Sequence, residues 1–384
     1  MIDYPSRLEG IRGFMEEQGI GGFMLSPSGD AEWLTGIRRQ RPNATHSHYP
    51  GDWLYGLWGN QKEAVYVSPS LPLEFVKSQV ADKDYVTDIM VMPNGHDSHA
   101  SACKIVDRLG LAKGRLAIPK TALSKTLVNL KALFPEMSFT CTEDYTLKRR
   151  MIKTDDELSL MRKAAEITDK VFYAVFDKLK VGMSEIEVAN EVDLQMLIHG
   201  TEGSSFITGI MVRGQGTPQN IEGIGRIGGT KLEPGKTLSF DFGVVLDGYV
   251  SDFGRTVYIG QPTKRMLEVH KLVMDSQQAG MKALIPGKHT AEEINQIARK
   301  IIEDAGLKKE FFHRLGHGIG VDVHEYPFLD KGYIEPIQEN MTFTVEPSIL
   351  IPEELWIRVE DVVHVTPEGG RSFNQVSWEP MIIE

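Results

Sequence analysis

Residues 237–258 read Thr-Leu-Ser-Phe-Asp-Phe-Gly-Val-Val-Leu-Asp-Gly-Tyr-Val-Ser-Asp-Phe-Gly-Arg-Thr-Val-Tyr. At the centre, Asp247-Gly248 is a two-residue hairpin signal, because a type I′ turn needs positive φ at both positions and this pair tolerates it. The Val, Phe, Tyr and Thr residues on either side favour strands. With those two residues as the turn, Asp252 lies opposite Gly243, and Asp241, two residues from Gly243, shares its face. Asp241 and Asp252 are then diagonal neighbours, roughly 7 Å apart at the backbone.

Further along, strands over 345–351 and 355–365 are joined by Pro352-Glu353-Glu354. That three-residue loop puts Glu346 directly opposite Glu360, an arrangement of like charges that destabilises a sheet. Surface hairpins tolerate such pairs when water solvates them. Here Phe240, Phe242, Val345, Ile357 and Val359 give the strands a buried look, and buried carboxylates need partners. Two acidic pairs in one region therefore predict a cation that turns repulsion into coordination. Between the hairpins lies His313-Arg-Leu-Gly-His317-Gly-Ile-Gly320. An isolated His more often fills a core, but the glycines flanking His317 would let the backbone approach a ligand closely. One imidazole with four carboxylates is a mixed N/O set, suited to Mn, Co, Fe or Zn more than to Ca or Mg.

Outward from this region, Thr154/Glu157, Ser184/Glu187 and Thr290/Glu293 are capping-box patterns. The first opens a long helix to about Lys180, and the other two helices stop at Gly200 and Gly306. With antiparallel hairpins between and after them, residues 151–384 read as an α+β domain. Residues 1–150 alternate instead: a helix over Arg7 to Gln18, a strand at Gly22 to Leu25, and strands at Ala64 to Val67 and Arg115 to Ile118 with a helical stretch between them. That pattern predicts a small α/β domain, with the boundary where Lys148-Arg149-Arg150 meets the helix start at Thr154. A chain of 384 residues is long enough for two domains. Net charge is −11 and no longer basic block occurs, so no nucleic-acid partner is expected. Cys103 and Cys141 are the only cysteines, too few for a thiolate zinc site or a disulfide framework. No apolar run approaches the roughly 20 residues that span a bilayer, and the N-terminus has no signal-like character. The expectation is a cytoplasmic protein with no membrane partner.

On these residues the chain resembles the pita-bread metallopeptidases, peptidase family M24, which include methionine aminopeptidase, prolidase, aminopeptidase P and creatinase. Asp241, Asp252, His317 in Gly-His-Gly-Ile-Gly, Glu346 in Val-Glu-Pro and Glu360 in Arg-Val-Glu-Asp occur in the family's order at prolidase-like spacing. Ile152-Lys153-Thr154 and Trp33-Leu34-Thr35-Gly36 match the prolidase/creatinase branch, whose N-terminal domain methionine aminopeptidases lack. The resemblance implies an α/β N-terminal creatinase/prolidase-like domain over 1–150 and an α+β pita-bread catalytic domain over 151–384. It implies two divalent metal ions, with Mn favoured over Co, Zn or Fe. Asp241 would chelate one ion, Asp252 and Glu360 would bridge both, and His317 with Glu346 would complete the second. Such a pair makes hydroxide from a bridging water at neutral pH. Glu346 would shuttle the proton, His324 would stabilise the oxyanion or hold substrate, and Arg358 would orient carboxylates near the substrate. A homodimer is also implied. Creatinase works without metal and has altered ligand positions, whereas all five are present here.

The chain departs from the peptidase pattern at one place. Those enzymes carry a further histidine upstream of the first aspartate, and no histidine lies between His199 and His270 here. Two substrate classes therefore stand open: an Xaa-Pro dipeptide or peptide, and a small non-peptide amide or amidine of the creatinase branch. A third reading is a non-catalytic binding protein on the same fold. The corresponding stretch spells Gly223-x-Gly225-x-x-Gly228, but no strand precedes it and a strand follows. A loop near the site accounts for it better than a dinucleotide fingerprint does. In the first domain, Arg38, Arg39 and Arg41 run into His46, His48, Trp53 and Trp58. They read either as a solvated loop before a half-buried strand or as a recognition loop. In the second case an arginine grips a substrate carboxylate, while Trp53 or His48 walls the pocket.

Overall fold

The structure is a computed structural model that describes residues 2–39, 51–95, 97–217 and 228–384. Expectations placed on Arg41, His46, His48, Gly223 and Gly225 concern residues outside these ranges. The chain divides into two compact units, Met1–Arg150 and Met151–Glu384.

In the first unit the elements run α1 (Tyr4–Gln18), β1 (Ile20–Leu25), α2 (Gly29–Thr35), β2 (Gly56–Gly59), β3 (Ala64–Pro69) and α3 (Leu73–Val80). They continue with β4 (Asp88–Met92), α4 (Ser98–Leu109), β5 (Gly114–Ile118), α5 (Ser124–Leu133), β6 (Met137–Cys141) and α6 (Glu143–Met151). The six strands form one mixed sheet in the order β4-β3-β2-β1-β5-β6. The stretch between β3 and β5 was expected to be helical. It holds two helices separated by β4, whose Ile-Met-Val-Met run is too short for periodicity to decide and which pairs parallel with β3. The Trp53–Trp58 segment also differs from expectation: a 3₁₀ turn (Asp52–Leu54) leads into β2, and both indoles are buried in the core with Val65, Val67 and Ile105. Their ring N–H groups are satisfied there, Trp53 donating to Ser98 Oγ (3.2 Å) and Trp58 to the Leu54 carbonyl (2.9 Å). Trp53 is a core residue of this unit, and so does not wall a pocket within it.

The second unit begins with α7 (Asp155–Phe176) and α8 (Glu185–Ile198), each opened by the expected capping box. α7 stops before Lys180 because its end tightens, with the Lys178 and Leu179 N–H groups donating to the Val175 and Phe176 carbonyls. Next come β7 (Gly209–Arg213), β8 (Thr237–Phe242), β9 (Val245–Leu246), β10 (Tyr249–Val250) and β11 (Phe253–Ile259). Helices α9 (Lys264–Ala283) and α10 (Ala291–Asp304) follow, the latter with the third capping box. The remaining strands are β12 (Gly316–Gly318), β13 (Glu325–Leu329), β14 (Thr342–Val345), β15 (Ser348–Ile351), β16 (Leu355–Arg358), β17 (Asp361–Thr366), β18 (Gly369–Ser372) and β19 (Met381–Ile383). They assemble a four-stranded sheet (β19-β11-β8-β7), a five-stranded sheet (β13-β12-β14-β17-β18) and two ribbons, β9–β10 and β15–β16.

Both hairpins keep the register read from their turns. Asp247 and Gly248 have φ of 47° and 77°, the I′ geometry, and Tyr249 pairs with Leu246 while Gly254 pairs with Asp241. In the second hairpin Ser348 pairs with Arg358 and Val345 with Asp361, which brackets Glu346 and Glu360 as opposite residues. The core beneath is aromatic. Phe172 of α7 lies 5.4 Å from Phe240 and 5.3 Å from Phe253, centroid to centroid, so one ring ties the helix to both strands that carry the acids. Phe172→Ala is expected to cost about 3–5 kcal/mol in denaturant unfolding; a loss near zero would show that the helix does not hold the hairpin.

Candidate metal centre

The acidic residues sit at strand ends and crossings. Asp252 falls between β10 and β11, Glu346 just after β14, and Glu360 between β16 and β17 in a lone bridge to Gly254, while Asp241 lies within β8, paired with Gly209 and Gly254. These places bring the side chains together. Carboxylate oxygens of Asp241, Asp252 and Glu360 all lie within 4.8 Å of one another. His317, in β12, adds its Nε2 at 3.5 Å from Asp252 Oδ2 and 3.4 Å from Glu346 Oε1. Its Nδ1 is bonded to the Gly318 carbonyl at 3.0 Å, a contact only an N–H can make, which leaves Nε2 to face the acids.

The glycines beside His317 have a different reason from the one expected. A Cβ on Gly316 would lie 1.9 Å from the Thr344 carbonyl oxygen, and one on Gly318 would lie 2.7 Å from that of Glu325. The absence of side chains admits neighbouring strands. Similarly, a Cβ on Gly254 would meet Glu360 Oε2 at 2.8 Å, so this glycine lets the two hairpins cross.

Arg358 is the cation among the acids. It hydrogen-bonds Asp241, reaches Glu360 Oε2 at 3.4 Å and lies 3.9 Å from Glu346 Oε2. Thr344 Oγ1 accepts the His317 N–H and donates to Glu346 Oε1, each at 3.1 Å. Burial raises the Asp252 carboxyl to about 6, against the hydrogen bond from His317, with the charges of Asp241 and Glu346 adding to the rise. Burial and the Asp252 and Glu346 charges push Glu360 well above its ordinary value, and burial likewise raises Asp241. For Glu346, burial acts upward but Arg358, His317 and His313 outweigh it and hold the group low. Asp252 Oδ1 is buried with no hydrogen-bond partner among the described residues. An orphaned carboxylate oxygen, inside a convergent set of hard oxygen donors and one imidazole, fits a divalent cation.

A cleft of about 630 Å³ opens onto these residues, walled by Phe206, Phe312, Trp356, His313, Arg314 and His324. His324 meets His317 edge-on at 4.2 Å between ring centroids. Burial, reinforced by His317 and Arg314, lowers its pKa to about 4. Burial also lowers His313 to about 4, against the pull of Glu346. Both rings are neutral at pH 7. Sequence reasoning did not single out His313, Arg314, Phe206, Phe312 or Trp356 as cleft residues, since a wall assembled from separate loops leaves no spacing to read. Arg314 stacks on Phe328 (4.6 Å to the ring centroid) and its buried Nε has no partner among the described residues. In the first unit, Arg39 pairs with buried Glu32 at 3.0 Å, while the Arg38 N–H donates to Gln79 Oε1 at 3.1 Å.

A family model described as Metallopeptidase family M24 matches residues 159–367. An Xaa-Pro dipeptidase of Lactobacillus delbrueckii subsp. lactis is 30% identical over 382 residues, covering 98% of each chain. Among solved structures, a prolidase from Thermococcus sibiricus superposes with a TM-score of 0.88 at 25% identity over 100% of both chains. A dipeptidase from Pyrococcus horikoshii OT3 gives 0.85 at 28% identity, over 98% of this chain and 100% of that one. These full-length likenesses establish an α/β N-terminal domain followed by a pita-bread C-terminal domain.

The raised carboxyls carry a pH signature. Metal-free folded protein binds protons on Asp252 and Glu360 that the unfolded chain has released, so these groups stabilise the fold at low pH and that contribution is lost as pH rises through about 6. Added Mn or Co is therefore expected to raise Tm more at about pH 7.5 than at about pH 5.5. Equal increments in thermal melts at the two values would contradict this account.

Proposed function

The chain belongs to metallopeptidase family M24, and from that premise we propose that it is a two-metal hydrolase of Xaa-Pro dipeptides. The observation that carries the reading is the convergence of Asp241, Asp252, His317, Glu346 and Glu360 at one end of a cleft, with a buried Asp252 oxygen that has no partner among the described residues. Those five residues would hold the ions. Bound divalent ions acidify water and polarise a carbonyl, which supplies a nucleophile near neutral pH.

The chain's own groups do the rest. Glu346, ionised and fixed by Thr344, takes the proton from the attacking water and delivers it to the leaving nitrogen. His324, neutral and facing the cleft, donates to the oxygen of the scissile carbonyl as charge develops there. Arg358 opposes the mutual repulsion of the acids and draws the proton affinities of Asp241, Glu346 and Glu360 down. Arg314, whose guanidinium lies over Phe328 and lines the cleft, would meet the free carboxylate of a short substrate. This last contact separates a dipeptide from a longer peptide, whose C-terminus would lie elsewhere.

One observation favours a second reading. No histidine occurs between His199 and His270, where the peptidases that this chain resembles carry one for the peptide. A small non-peptide amide would not need that group.

A substrate panel separates the two. After metal stripping, Xaa-Pro dipeptides, longer Xaa-Pro peptides, cyclic amides and creatine-like compounds are assayed with Mn, Co and Zn. Metal-dependent release of proline from dipeptides is expected, and turnover of non-peptides alone would replace the dipeptidase reading by the second. Glu346→Gln is expected to lower kcat about 10²–10⁴-fold. Arg314→Ala is expected to raise KM for a dipeptide about tenfold or more while leaving the C-terminally amidated dipeptide unaffected; equal effects on both would remove Arg314 from carboxylate recognition.

A further inference from the structure

One residue beyond Glu360, Asp361 is fully buried and ion-pairs at 2.6 Å with Arg255, itself only 2% exposed. All five N–H groups of that guanidinium have acceptors. Nη1 donates to the carbonyls of Gly254 and Glu360, each at 2.7 Å. Nη2 donates to Asp361 Oδ1 at 2.6 Å and to the Val376 carbonyl at 3.0 Å, and Nε donates to the Ser377 carbonyl at 3.1 Å. The second oxygen, Asp361 Oδ2, accepts from Trp378 Nε1 at 2.7 Å and from Gln277 Nε2 at 3.3 Å.

The position of this network matters more than its charge. Gly254 and Glu360 form the bridge at which the two acidic hairpins cross, with Glu360 N–H to Gly254 carbonyl at 2.9 Å and the reverse at 3.3 Å. Nη1 grips both carbonyls of that bridge, two residues after Asp252 on one side and at Glu360 itself on the other. Asp361 neutralises Arg255, so Arg255 does not offset the four acids, a task that Arg358 performs from the cleft side. A buried ion pair is weak evidence for stability, because apolar replacements of similar volume often stabilise as well or better. What an apolar group could not do is fix two carbonyl positions from different hairpins at once.

We propose that Arg255, Asp361 and Trp378 are positioning residues that set the spacing between Asp252 and Glu360, with segment 376–378 as their outer strap, and so tune the affinity of the centre for its second divalent ion. This inference rests on the two-metal reading above.

The test uses cobalt on metal-stripped full-length protein, followed by titration calorimetry and the visible absorption of bound Co(II), with thermal melts of the metal-free forms. Trp378→Phe removes one N–H from a half-buried ring. It is expected to weaken one of two cobalt sites about tenfold and alter that ion's absorption band, with little change in metal-free Tm. Arg255→Lys keeps the charge but loses the fork, and is expected to weaken that site about 10–100-fold. Val192→Ala, on the buried face of α8, serves as the control that lowers Tm away from the crossing. Should Arg255→Lys fail to fold, Trp378→Phe alone decides. Two cobalt sites with unchanged isotherms and spectra in Trp378→Phe would overturn the positioning role, as would an equal shift in Val192→Ala. Parent protein that binds no cobalt would overturn the two-metal reading and this inference together.

Discussion

Four carboxylates taken out of water in one place repel one another, and each loses its hydration. The C-terminal unit is organised around that penalty. One cation, Arg358, reaches Asp241, Glu346 and Glu360 at once, while His317 sits between Asp252 and Glu346. Neither reaches Asp252 Oδ1, which stays buried and without a hydrogen-bond partner among the described residues. The protein groups therefore reduce the repulsion without removing it. That residue of unfavourable charge is what makes a divalent ion welcome, since a set of acids fully satisfied by arginine would gain little from a metal.

How the acids are brought together follows from the strands. Paired positions on a ribbon face each other whatever their charge, so the turn decides which residues meet. Asp247-Gly248 sets one register and the 352–354 loop the other, and both could be read directly because turn chemistry is local. The capping boxes at Thr154, Ser184 and Thr290 were legible for the same reason: each is a contact across three residues. The residues that proved illegible depend on distant partners. Nothing local in Trp53 or Trp58 says that Ser98 and Leu54 will satisfy their ring N–H groups inside a core. The loop bearing Phe206, the turn bearing Phe312, His313 and Arg314, and strand β16 with Trp356 meet only through tertiary packing. The glycines flanking His317 read as room for ligand approach, and the strand packing that also requires them is not legible because it depends on Thr344 and Glu325, distant in sequence from Gly316 and near only in the fold.

The functional reading joins two kinds of support that do not depend on each other. Geometry puts the oxygen and nitrogen donors of a candidate divalent site at the end of a cleft. Likeness over the whole chain puts the fold among prolidases and dipeptidases. The histidine lacking between His199 and His270 bears on neither the ions nor the fold. It bears on how the organic half of a substrate would be held in the cleft, which Arg314, His324, Phe206, Phe312 and Trp356 line.

The dependence of the acids on two turns has a consequence for how the chain tolerates change. Because facing alternates along a strand, an odd-numbered insertion or deletion in either turn would swing its acids to the opposite side of the ribbon. An even-numbered change would keep them inward but slide them along it. Turn length is thus constrained together with the donors, whereas within the 352–354 loop the chief backbone constraint is the left-handed φ of 59° at Glu353. Substitution can alter the cleft walls one residue at a time, but the spacing of the hairpins admits no gradual path.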